Sequence, residues 1–128
     1  AHLASFLFTR DQSPSHIRAA LLLGGLYDLE PLRASFLQAE IGLTDAEVSA
    51  FTPMTQEYDP ATHTSLLVGA DETSPFHQQA DDFARLLKSK GSAVSRLDLS
   101  GRNHMNSVRD LAIATSDAGR CLTSLLDV

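Results

Sequence analysis

Three short stretches of this 128-residue chain carry side chains able to move protons: Tyr27-Asp28, Asp71-Glu72 and Asn103-His104. A histidine paired with a carboxylate is a general acid–base device. The carboxylate fixes the ring tautomer and stabilises the imidazolium formed when the ring takes a proton. Such a pair is half of a catalytic system. It needs a nucleophile, such as a Ser on a tight strand-to-helix turn, and N–H donors for the developing oxyanion. The nucleophile motif Gly-x-Ser-x-Gly occurs nowhere in the chain. Gly24-Gly25 lacks the G-x-G-x-x-G spacing of a phosphate-binding turn, and no two histidines have metal-ligand spacing.

Each candidate also has a plain structural role open to it. His104 could be a loop histidine without a task, and Asp71 and Glu72 could place negative charge beside a helix N-terminus. Asp28 reads as a helix N-cap. His16 precedes its strand, at the sheet edge away from the other candidates, and His63 falls in a polar loop. His77, in the first turn of a helix, is expected to be solvated or bonded to the acidic loop. The single cysteine, Cys121, sits with Leu122 and Leu125 on the apolar side of the last helix and reads as a small buried hydrophobe. No His or acid lies near it in sequence to activate the thiol.

The candidates need elements to position them. Leu3, Phe6 and Leu7 mark a short amphipathic helix ending near Arg10. After the turn residues 11–15, the apolar run Ile17 to Leu23, closed by Gly24-Gly25, has the signature of a strand buried on both faces. A helical stripe runs from Leu29 to about Ala39, and Gly42 ends it. Thr44 with Glu47 forms a capping box for a second helix reaching about Phe51. A polar loop, Thr52 to Thr64, is expected to contribute to the lining of a pocket. Ser65 to Val68, then Gly69, repeats the buried-strand signature. Ser74 as N-cap and Pro75 at the first helical position start a helix that stops at Gly91, with Phe76, Phe83 and Leu87 as core. Ala93 to Leu99 alternates, with Arg96 and Asp98 on one face, as a strand near a sheet edge does. A last helical region runs to Val128, with a break foreseen near Thr115-Ser116-Asp117.

Strands separated by helical crossovers form a parallel α/β sheet with right-handed connections. Every loop leaving a strand's C-terminal end then lies on one edge, where open α/β sheets place their ligands. The three candidate stretches fall on those loops. Two strands read as buried on both faces, which calls for neighbours beyond three strands, so the chain is expected to be part of a larger domain.

Composition narrows the function further. Sixteen Asp+Glu against 10 Lys+Arg give a net charge of −6, with no basic stripe to neutralise phosphates, which argues against nucleic acid as a partner. One cysteine excludes an internal disulfide framework. No apolar run approaches the roughly 18 residues a membrane-spanning helix needs, and the first residues do not read as a signal peptide. A reduced, cytoplasmic setting is the default these features leave.

At this level of detail a family resemblance emerges. Gly24-Gly25-Leu26-Tyr27-Asp28-Leu29-Glu30-Pro31-Leu32 resembles the segment after strand six in α/β hydrolases of the arylformamidase (kynurenine formamidase) type. Val68-Gly69-Ala70-Asp71-Glu72, continuing to Phe76-His77-Gln78-Gln79, is similar to that family's acid loop, and Asn103-His104 matches its catalytic histidine position. Ala1-His2-Leu3-Ala4 resembles the residues immediately after the family's nucleophile motif, Gly-His-Ser-Ala-Gly, with His2 supporting the elbow by hydrogen bonding. The match runs collinearly over nearly the whole chain.

The resemblance implies the C-terminal half of an α/β-hydrolase domain over residues 1–128, contributing parallel strands six to eight in a three-layer αβα fold. It makes His104 the base and Glu72 the acid of a Ser-His-acid triad, with Asp71 as the alternative acid. The implied partner is an N-terminal half supplying the Ser and the oxyanion-loop glycines. The implied substrate is a small carboxylic ester or aryl formamide, with no metal or organic cofactor, and a homodimer is a compatible assembly. The contrasting reading is a non-catalytic α/β binding module without a nucleophile.

Overall fold

Three strands form the centre of the molecule: β1 (Ala19–Leu23), β2 (His63–Gly69) and β3 (Val94–Leu99). The computed structural model describes residues 1–11 and 14–127. Gln12 and Ser13, read from the sequence as part of a turn, and Val128, read as the end of a helical region, lie outside the described residues. Both strand pairs are parallel, in the order β1-β2-β3. Leu22 pairs with Leu66, and Leu66 with Arg96.

That register sends alternate residues to opposite faces. On one face Leu22, Leu66 and Val68 pack against Phe83 and Leu87 of α5 (Ser74–Ser89), together with Phe8, Tyr27 and Tyr58. On the other, Leu67 and Leu99 meet Ala118 of α6 (Asp117–Ser124), with Leu21, Leu23, Leu111 and Cys121 around them. Helices therefore cover both faces of a parallel sheet. Among the described residues no helix is long and apolar enough to cross a membrane.

β2, the central strand, is buried along nearly its whole length. β1 is not: only Leu22 is fully buried, and the rest of the strand is half-buried. The doubly buried pattern read from Ile17 to Leu23 is met only in part, because β1 has a strand neighbour on one side alone among the described residues. β3 is an edge strand, as its charges foretold, and its Arg96 is drawn under α5 by Asp81 at 3.0 Å.

Several helical expectations are corrected. The first helix is a single turn, α1 (His2–Ser5), tightening into a 3-10 turn over Phe6–Phe8. This rotates Ser5 and Phe8 inward and leaves Leu3 and Leu7 exposed. The stripe after Leu29 breaks into α2 (Glu30–Arg33) and α3 (Gln38–Ile41). Ser35 causes the break: its hydroxyl donates to Leu32 O and accepts the Leu37 N–H, competing with the helical ladder. Phe36 is consequently 87% exposed. α4 (Asp45–Phe51) carries the expected capping box. Thr73, not Ser74, precedes α5, so Pro75 takes the second helical position, where it still needs no N–H partner. The last region breaks where foreseen, between a 3-10 stretch (Ser107–Ala112) and α6, whose N-terminus is capped by Ser116. On α6 Cys121 is half-buried, and Leu122 is exposed rather than core.

Candidate active site

The site is assembled where β2 and β3 end. Gly69 closes β2 with the His104 loop resting on its backbone: a Cβ there would lie 2.3 Å from the Arg102 carbonyl oxygen. The Asp71 N–H donates to that same oxygen at 2.9 Å, and the Glu72 N–H to Gly69 O at 3.0 Å. This tight turn folds the Glu72 side chain back inward. Its Oε1 accepts the Gly69 N–H at 2.9 Å, and its Oε2 lies 2.9 Å from His104 Nδ1. The Glu72 side chain is 0% exposed and that of His104 is 52% exposed. Facing an ionised carboxylate, which only accepts, Nδ1 is the donor, and Nε2 lies on the far side of a half-open ring.

The loop that carries His104 is braced on both sides. Asn103 Oδ1 accepts the N–H groups of Met105 and Asn106, and Asn106 Oδ1 accepts the Asn103 N–H. Upstream, Arg102 Nε donates to the buried carboxylate of Asp110 at 2.6 Å. That bond holds the guanidinium above its ordinary range. Asn106 had no assigned part in the sequence reading. The Asn-x-x-Asn spacing around His104 is the signal that could have found it.

The candidates separate clearly in space. His104 and Glu72 are joined. Asp71 is exposed, and its carboxylate makes no hydrogen bond among the described residues, although it borders the same cleft with Thr73, Phe76 and Met105. The third loop brings no acid to the imidazole. Tyr27 turns into the core and stacks on Phe83, ring centroids 4.2 Å apart and 8° from parallel. Burial pushes its hydroxyl far above the usual tyrosine range. Asp28 accepts the Glu30 N–H at 3.0 Å and borders a separate cleft with Pro31, Met54 and Pro75. Of the stretch Thr52 to Thr64, expected to line a pocket as a polar loop, only Met54 reaches that cleft; Thr52, Pro53, Tyr58 and Thr62 are buried, and His63 and Thr64 already belong to β2.

Gln79 locks the third loop by accepting the N–H groups of both Tyr27 and Asp28, at 2.6 and 2.9 Å. Its place in the Phe-His-x-Gln stretch was visible in the sequence; its role was not. Phe76, read as core, also lays its ring against His104, with centroids 4.7 Å apart. His77 bonds neither to solvent alone nor to the acidic loop: its Nδ1 meets Asp98 at 3.1 Å and Arg96 at 3.3 Å. His2 Nε2 bonds to Phe51 O at 2.7 Å. His63 begins β2 instead of lying in a loop, and His16 is exposed with φ 59°. Among the described residues no three His, Cys, Asp or Glu side chains gather to hold a metal ion.

An enclosed carboxylate bonded to a half-exposed imidazole, at the C-terminal edge of a parallel sheet, has the groups that general acid–base chemistry needs. Comparison with known proteins supports a relationship of the formamidase type. The chain is 26% identical over 136 residues to the kynurenine formamidase of Danio rerio, covering 98% of this chain and 45% of that protein. It is 29% identical over 140 residues to the kynurenine formamidase of Drosophila melanogaster, covering 98% and 46%. Its fold is similar to that of a putative thioesterase from Silicibacter sp. TM1040, with a TM-score of 0.76 and 20% identity over 99% of this chain and 47% of that one. The chain spans about half the length of the curated relatives it matches. It matches no family model.

Proposed function

We propose that this chain supplies the base and the acid of a Ser-His-Glu triad, in a hydrolase that cleaves small carboxylic esters or aryl formamides. In this reading its strands are the last three of an α/β-hydrolase sheet. The nucleophilic Ser belongs to the part of the relatives' length that the chain does not span. The observation that carries the reading is the 2.9 Å bond between His104 Nδ1 and the enclosed Glu72 carboxylate, made across 32 residues of sequence. The formamidase names of the relatives supply the substrate class.

The chemistry follows from the geometry. Glu72 holds Nδ1 as a donor, so Nε2 is free to take the proton of the Ser hydroxyl as its oxygen attacks the substrate carbonyl. The imidazolium that forms is stabilised by Glu72, which stays ionised. His104 then returns the proton to the leaving alcohol or amine, and water clears the acyl-enzyme by the same roles in reverse. Glu72 rather than Asp71 is the acid, because only its carboxylate meets the ring.

The test uses the full-length protein and a serine-reactive phosphonate. Wild type is expected to label and to hydrolyse a formanilide and a short acyl ester, and His104→Ala to lose both. Undiminished labelling and turnover in His104→Ala would remove His104 from the mechanism. An upstream sequence with no Ser in a Gly-x-Ser-x-Gly turn would favour a binding module instead.

A further inference from the structure

The bond to Glu72 holds one imidazole nitrogen but leaves the ring room to tilt about its Cβ–Cγ bond, which would carry Nε2 off its line. Two further elements stop it. Phe76, in the first turn of α5, places its ring 4.7 Å from the imidazole centroid at 39°. Gly24, just past β1, brings bare backbone against the ring's Nδ1 edge. A Cβ at this position would lie 3.0 Å from His104 Nδ1, 3.1 Å from Cε1 and 3.4 Å from Glu72 Oε1. Gly24 also holds φ +57°, a conformation that disfavours any side chain, and its N–H is tied to Leu67 O at 2.9 Å. The end of β1 thus meets both members of the His–Glu pair, although its own acid, Asp28, does not.

We infer that Gly24 and Phe76 are positioning residues that clamp the His104 ring and so aim its Nε2 at the nucleophile. This rests on the Ser-His-Glu reading. Phe76 has a second effect. When the ring takes a proton it becomes a cation, and an aromatic ring within about 6 Å attracts it. That contact strengthens as the proton transfers, so it favours the transition state over the ground state. Phe76 thus assists the base both by shape and by charge.

The experiment measures kcat and KM of the full-length protein on a short acyl ester, with folding checked by thermal melting. Phe76→Leu keeps apolar volume but removes the flat ring; kcat is expected to fall about fivefold to tenfold with KM nearly unchanged. Phe76→Tyr restores the ring and is expected to recover kcat, a rescue that a purely structural role would not require. Gly24→Ala pushes a methyl onto the pair, and kcat is expected to fall about a hundredfold through misplacement of the base. Should Gly24→Ala fail to fold, the two Phe76 variants decide. Phe76→Leu with wild-type kcat, or Phe76→Tyr no better than Phe76→Leu, would overturn the clamp. His104→Ala separates the two levels. An inactive His104→Ala beside fully active Phe76→Leu and Gly24→Ala sinks the clamp alone, whereas an active His104→Ala sinks the triad reading and the clamp with it.

Discussion

Replacing Glu72 with Gln tests the site at its most constrained point, because the structure dictates how the amide must sit. One side-chain oxygen accepts the Gly69 N–H at 2.9 Å, and the other faces His104 Nδ1 at 2.9 Å. In Glu72→Gln the amide oxygen must keep facing the Gly69 N–H. Turning it round would oppose two donors in a fully enclosed site, at about 1–3 kcal/mol. The amide NH2 therefore faces His104. Nδ1 becomes the acceptor, and the proton moves to Nε2, the atom that in the proposed mechanism takes a proton from the nucleophile. The inverted tautomer, together with loss of the charge that stabilises the imidazolium, is expected to lower kcat by about 10⁴-fold, or roughly 5–6 kcal/mol of barrier. Stability suffers far less, about 1–2 kcal/mol, since a hydrogen bond remains in place of a stronger ionic one. The assay is steady-state kinetics of the full-length protein on a formanilide and an acyl ester, beside Asp71→Asn. The exposed Asp71 carboxylate makes no hydrogen bond among the described residues, so that variant should stay within about twofold of wild type. A Glu72→Gln enzyme within tenfold of wild type, or an Asp71→Asn enzyme as impaired as Glu72→Gln, would refute the reasoning.

The remaining predictions probe the scaffold. Gly69→Ala drives a Cβ to 2.3 Å from Arg102 O and 3.1 Å from Asn103 Cα. It should lower stability by about 1–3 kcal/mol and displace the His104 loop, so that Tm and kcat fall together. Phe83→Ala empties a fully buried ring site stacked on Tyr27 and set edge-on to Tyr58 at 5.2 Å. A loss of about 3–5 kcal/mol is expected in denaturant unfolding. Asp59 accepts the N–H groups of Ala61 and Ser15, which hold its carboxyl below the usual carboxylate range, and the Ser15 hydroxyl adds to them. A carboxyl depressed by folding stabilises the native state above its unfolded value, near pH 4, and loses that contribution as pH falls through the folded value. Asp59→Asn should therefore lower Tm at pH 7, with the gap to wild type closing as the pH drops below about 4.

How much of this was legible beforehand depends on the range of the interaction. The three strands, the parallel order and the placement of Asp71-Glu72 and Asn103-His104 on one edge followed from apolar periodicity and crossover geometry, which are properties of the chain read a few residues at a time. The capping box at Thr44 and the break ahead of Asp117 were equally local. The split of the Leu29–Ala39 stripe is local too, but periodicity hid it, because the Ser35 hydroxyl, bonded to Leu32 O and the Leu37 N–H, outcompeted a pattern that looked helical.

By itself, the sequence determined that an imidazole and a pair of adjacent acids would share an edge of an α/β sheet. The family resemblance favoured Glu72 with Asp71 as the alternative, and nothing local settled which acid meets the ring. Asp71 and Glu72 are neighbours with the same charge, and no propensity separates them. Only the tertiary structure decides, since the turn laid over Gly69 by the Arg102 carbonyl sends one side chain inward and the other to water. The approach of Gly24 and Phe76 to His104 is likewise a matter of three elements meeting, far apart along the chain. Periodicity records which face a residue takes; which side chains touch is settled only when those faces close on one another.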